Sequence, residues 1–114
     1  MKRPILSRLE MFFTNRCNLD CSYCFSKTMT HRRARVSLGP SELRRAVDLF
    51  AASREPGRDP SDRRVIIFIG GEPFLEFETV SKTVDHILGK TEPFEICVAT
   101  NGTLLDRSRL EWLQ

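Results

Sequence analysis

The chain has 114 residues, 40% of them hydrophobic and eight of them Phe, enough for one small domain with a core and too apolar for an intrinsically disordered segment. Its 18 Lys and Arg against 15 Asp and Glu leave a net charge of +3, too little to argue for a nucleic-acid partner. The longest apolar run, Val65–Ile69, falls far short of the ~18 residues of a membrane span.

Arg8 and Glu10 interrupt what would be the apolar part of a signal peptide, so a cytoplasmic location is expected, where disulfides are rare. Of four cysteines, Cys17, Cys21 and Cys24 fall within eight residues and Cys97 stands apart. A disulfide framework would spread them more evenly; three clustered thiols in a reducing compartment read as metal ligands.

In chain order, residues 8–14 alternate partly and suit a first strand, with the cysteine cluster directly after it. A polar stretch to Pro40 reads as loop. Ser41 is placed to cap a helix over 42–52, in which Leu43, Ala46, Val47 and Phe50 recur at helical spacing. Residues 54–64 carry Pro, Gly and charge and read as loop. Val65–Ile69 is apolar without alternation, which predicts a strand buried on both faces. Gly70-Gly71-Glu72-Pro73 ends it. A second helix follows over 79–88, closed by Gly89, then a third strand over 94–99 ended by Thr100-Asn101-Gly102. Asp106 opens a third helix bearing Leu110 and Leu113.

The order β-α-β-α-β-α predicts an α/β fold with a parallel sheet and right-handed crossovers. A complete eight-fold barrel takes ~250 residues. About three βα units therefore fit either a complete small open sheet or the front piece of a larger barrel. An end in mid-helix favours the second, the N-terminal half of a partial TIM-type barrel truncated at the third helix. Trp112, in that helix, is expected to be exposed.

Three thiolates on one loop can wrap one metal centre and leave a position open, where four would close a zinc site or saturate a four-iron cluster. The loop follows a strand end, where ligand sites of parallel sheets gather. The other two strands end in unusual turns on the same side. Paired glycines admit close approach to the backbone, and Pro73 holds Glu72 extended.

Residues 12–25, with Cys17-Asn18-Leu19-Asp20-Cys21-Ser22-Tyr23-Cys24 at their centre, resemble the N-terminal signature of the radical S-adenosylmethionine enzymes. Gly70-Gly71-Glu72-Pro73 resembles the family's second motif, and residues 99–105 resemble the end of its third strand. The resemblance implies a partial radical S-adenosylmethionine core domain over residues 1–114, truncated at the third helix. Cys17, Cys21 and Cys24 would hold three irons of a 4Fe-4S cluster whose fourth iron binds S-adenosylmethionine. Reductive cleavage would give a 5′-deoxyadenosyl radical that takes hydrogen from a substrate. Backbone groups of Gly70, Gly71 and Glu72, with Pro73, Thr100 and Asn101 beside them, would hold the cofactor, and Tyr23 would lie against adenine. A reductant such as flavodoxin or ferredoxin would supply the electron. The wording around the cysteines is closest to the branch that modifies peptides and proteins, which implies a peptide or protein substrate.

Two other readings stay open on residues alone. One is a non-enzymatic zinc or iron–sulfur module, with His31 or Cys97 as a fourth ligand. The other is an inactive truncated relic. Cys97, in mid-strand, reads as a small buried hydrophobe, and the run His31–Arg35 as solvated surface.

Overall fold

The computed structural model describes residues 6–24, 36–54, 57, 59 and 61–114. Phe25 and the run His31–Arg35 lie outside the described residues. Three strands, β1 (Arg8–Thr14), β2 (Val65–Gly70) and β3 (Glu95–Val98), form one parallel sheet in the order β1-β2-β3. Helix α1 (Pro40–Ala52) connects β1 to β2. A 3-10 helix (Pro73–Glu76) and α2 (Phe77–Leu88) connect β2 to β3, and α3 (Arg107–Leu113) follows β3. The fold is α/β, three parallel βα units in the arrangement that opens a TIM-type barrel, as the alternation predicts.

The core lies on one face of the sheet. Met11, Phe13, Ile66 and Phe68 pack with Leu43, Val47 and Phe50 of α1 and Val80, Val84 and Ile87 of α2. Phe13 meets Phe68 edge-on at 6.1 Å between ring centroids, a favoured aromatic geometry. The opposite face carries Arg8, Glu10 and Phe12 of β1, set by register beside Val65, Ile67 and Ile69 of β2. Here the expectation of a strand buried on both faces is corrected: β2 is sealed on the helix side, and Val65, Ile67 and Ile69 are only half-buried. Cys97 shares that open face at the level of Ile67 and is likewise half-buried, not a core residue.

Two helix starts differ in kind. Asp106 caps α3 as expected, its carboxylate accepting from the Arg109 amide at 2.9 Å. At α1 the cap residue is Gly39 and makes no side-chain bond, while Pro40 occupies the first turn. Proline's fixed φ and missing N–H suit that position, so the helix starts two residues earlier than Ser41 suggests. Ser41 instead donates to the Glu42 carboxylate. Trp112 is half-buried, edge-on to Phe77 at 5.1 Å and to Phe74 at 6.5 Å, so aromatic packing covers part of the surface expected to be open. Among the described residues no helix is long and apolar enough to cross a membrane.

Candidate functional site

All three strands point their C-terminal ends to one side, and the three segments singled out in the sequence meet there. The first two are joined by backbone bonds. The Gly71 amide donates to the Thr14 carbonyl at 2.8 Å, and the Glu72 amide to the Arg16 carbonyl at 2.7 Å. The turn after β2 is thereby sewn to the first residues of the cysteine loop. Gly70 has φ +147°, a region that favours glycine, and a Cβ there would fall on the Thr14 carbonyl. A Cβ on Gly71 would fall on the Arg16 carbonyl. The room left by the paired glycines is therefore filled by the protein's own backbone next to Cys17. Gly71 itself does not have positive φ.

The far limb of the cysteine loop returns to the same place. The Asn15 amide donates to Val36 at 3.1 Å, the Leu38 amide donates to Phe13 at 2.7 Å, and Ser37 bridges Thr14 in antiparallel fashion. A directional chain of side-chain bonds closes the base of the loop. The Arg16 amide donates to the Thr14 hydroxyl (3.1 Å), which donates to the Ser37 hydroxyl (2.7 Å), which donates to the Glu76 carboxylate (2.9 Å). The Arg16 guanidinium adds an ion pair to the same carboxylate oxygen. The polar stretch read as loop thus holds an ordered return at Val36–Leu38.

Glu72 joins the third segment. Its side chain is fully buried, and the extended backbone at this residue, φ −122° and ψ 104°, agrees with the restraint expected from Pro73. Oε1 accepts from the Thr100 hydroxyl at 2.6 Å and from the Phe74 amide at 3.1 Å, and Oε2 accepts from the Asn101 amide at 2.7 Å. The carboxylate thus points inward and ties the end of β3 to the turn after β2. Pro73 is buried at the start of the 3-10 helix.

Asn101 carries the connection on to the cysteines. Its Oδ1 accepts from the Thr103 amide (3.0 Å) and hydroxyl (2.7 Å), which fixes the orientation of the carboxamide. Its Nδ2 then faces the cysteine loop, donating to Asn18 Oδ1 at 2.9 Å and to Cys17 Sγ at 3.9 Å. Asn18 returns a bond to the Thr103 hydroxyl at 2.8 Å. Asn18, Thr103, Arg16, Ser37 and Glu76 are site residues that sequence reasoning missed. The Asn-x-Thr spacing of an Asx turn was the one signal pointing to Thr103.

Cys17, Cys21 and Cys24 are half-buried thiols on the loop after β1, and a turn brings the Cys24 amide onto the Cys21 carbonyl at 3.2 Å. Thiolates are the donors that iron–sulfur clusters take, so the donor set fits such a group. Among the described residues no three His, Cys, Asp or Glu side chains are drawn around one point, so neither the three thiols alone nor Cys97 with them forms a closed ligand cage. What is fixed is the base of the loop. Tyr23 stands 89% exposed on it.

A family model for the radical S-adenosylmethionine (radical SAM) superfamily matches residues 11–114. The chain belongs to that superfamily, whose members use a 4Fe-4S cluster and S-adenosylmethionine. It is 32% identical over 108 residues to a probable GTP 3',8-cyclase of Methanothermobacter thermautotrophicus, covering 91% of this chain and 30% of that protein. It is 21% identical over 117 residues to the radical SAM cyclopropyl synthase TigE of Paramaledivibacter caminithermalis, covering 96% and 25%. Over 68 residues it is 34% identical to the 7-carboxy-7-deazaguanine synthase of Caulobacter vibrioides, covering 60% and 30%. The chain spans a third or less of the length of these curated relatives.

Proposed function

We propose that this chain provides the cluster-binding and cofactor-binding end of a radical SAM enzyme. When bound, the cluster and S-adenosylmethionine together supply one-electron reductive cleavage and a carbon radical that takes hydrogen from the substrate. Cys17, Cys21 and Cys24 would hold the cluster by their thiolates, three ligands that would leave one iron for the cofactor. An ammonium group needs acceptors, and the Gly71 and Glu72 amides are already bonded to the cysteine loop. The turn after β2 would therefore meet the cofactor through carbonyl oxygens of Gly70, Gly71 and Glu72, the last of which also accepts from the Leu75 amide at 3.1 Å. Thr100 and Asn101 close the site from β3, Pro73 fixes the turn, and exposed Tyr23 is free to lie against adenine.

One observation carries this reading most directly: the pair of backbone bonds that fastens the Gly70–Glu72 turn to the two residues around Asn15 at the head of the cysteine loop. A ligand bound at one segment is within reach of the other. The relatives act on different compounds by their names, GTP among them, so likeness to them does not narrow the substrate. The reading of a maturase acting on a peptide or protein rests on the residues around the cysteines, and that of a flavodoxin or ferredoxin as electron donor on the superfamily's general need of a reductant.

The test is anaerobic reconstitution followed by iron and sulfide counts and a titration with S-adenosylmethionine. Cys17→Ala, Cys21→Ala and Cys24→Ala are each expected to abolish the brown cluster, and Cys97→Ala to retain it. A colourless protein that takes up zinc, or equal iron loss in Cys97→Ala and Cys21→Ala, overturns the assignment.

A further inference from the structure

We propose that Asn101 is a positioning residue for the cluster, its carboxamide donating to the Cys17 sulfur and raising the reduction potential of the cluster held there. The inference rests on the cluster assignment above. Its basis is that the donor cannot turn away. Thr103 donates to Oδ1 from both its amide and its hydroxyl, so the carboxamide nitrogen must face the cysteine loop. The backbone of Asn101 is held independently, its amide bonded to the buried carboxylate of Glu72. Asn18 Oδ1 takes one of the two N–H groups at 2.9 Å, and the other has the Cys17 sulfur before it.

Hydrogen bonds to cluster sulfurs are among the factors that set cluster potentials. An N–H aimed at a thiolate stabilises the more negative, reduced state, so the donor favours reduction. Asn101 thus acts on the ease of reduction of the cluster, a role separate from contact with S-adenosylmethionine.

The readout is the midpoint potential of the reconstituted protein, titrated with dithionite without S-adenosylmethionine or substrate and followed by optical and EPR signals. Asn101→Asp keeps the shape, removes the N–H and adds negative charge. It is expected to lower the reduced-to-oxidised ratio at fixed potential by about tenfold, ~59 mV for a one-electron couple. Thr103→Val removes the hydroxyl donor but keeps the amide donor to Asn101 Oδ1, so it only loosens the carboxamide, and is expected to shift the midpoint in the same direction by less. An unmoved midpoint in whichever variant retains wild-type iron overturns the inference. Loss of iron in both variants while the wild type loads normally also overturns it, since Asn101 would then serve only the fold. Failure of the wild type itself to hold a cluster overturns the cluster assignment instead.

Discussion

The amide of Glu72 donates to the carbonyl of Arg16 across 56 positions of sequence, and the next residue after Arg16 is Cys17. Gly71, beside it, has no room for a Cβ because that same carbonyl occupies the space. Gly71→Ala must therefore push the head of the cysteine loop away from β2. Overpacking against backbone typically costs about 1–3 kcal/mol. The expected outcome is joint loss, with iron loading and S-adenosylmethionine affinity falling together. Iron counts and a calorimetric titration on one preparation check it. Normal iron with weakened cofactor binding would mean that a ligand, not the cysteine loop, uses this space.

Glu72→Gln probes the inward-facing carboxylate. Both oxygens accept from backbone amides, Oε1 from Phe74 and Oε2 from Asn101. Whichever way the new amide is turned, its NH2 meets one of those N–H groups. A buried donor left unpaired costs about 1–3 kcal/mol. The variant is expected to unfold at lower urea with an unchanged slope, read from a denaturation curve. A midpoint equal to that of wild type would show that this carboxylate does not hold the end of β3.

Much of the frame was legible in the sequence. The apolar run Val65–Ile69, the helical spacing from Leu43 to Phe50 and the three strand-end motifs located each βα unit and the side on which the three motifs meet. That β2 is sealed on one face only was not legible, because an apolar strand looks the same whether helices cover one face or two. The paired glycines were ambiguous for a similar reason. Close approach by a ligand and close approach by Arg16 leave the same signature. The bonds from Arg16 to Glu76 and from Asn101 to Asn18 join segments far apart in sequence, where neither periodicity nor local spacing carries a signal.

On the outer layer, Asp48 of α1 accepts from His86 at 2.7 Å and pairs with Lys90 at 2.5 Å. Lys90 first and His86 second hold its carboxyl below the ordinary 3.8. A carboxylate with a lowered folded pKa contributes stability above its unfolded pKa and loses it as pH falls through the folded value. Asp48→Asn should thus melt below wild type near neutral pH, by a small margin because the pair is exposed and screened. The two melting curves should converge as the pH drops below 3.8. A margin that persists through that range would assign the effect to packing and not to charge.

Arg64 organises the opposite end of the sheet, and its removal separates stability from the site. Its side chain is 1% exposed and meets Glu92 fork to fork, Nε to Oε2 and Nη2 to Oε1, both at 2.7 Å. The guanidinium also donates to the Leu6 and Ala51 carbonyls and the Ser53 hydroxyl. It lies 4.2 Å from the Phe50 ring centroid and 5.5 Å from that of Phe94. One side chain thus gathers the approach to β1, the end of α1 and the approach to β3 at the strands' N-terminal ends. In parallel βα folds that end serves stability, and the other carries ligands. Arg64→Met removes the guanidinium from its pair with Glu92, and breaking a buried pair costs about 3–5 kcal/mol. A large drop in unfolding midpoint is expected. Iron bound per folded molecule should remain near wild type, because the cysteine loop, the Gly70–Glu72 turn and Thr100–Asn101 are bonded among themselves at the far end. Denaturant curves paired with iron counts on the folded fraction check both halves. If folded Arg64→Met loses iron as fully as Gly71→Ala does, the two ends of the sheet are not independent.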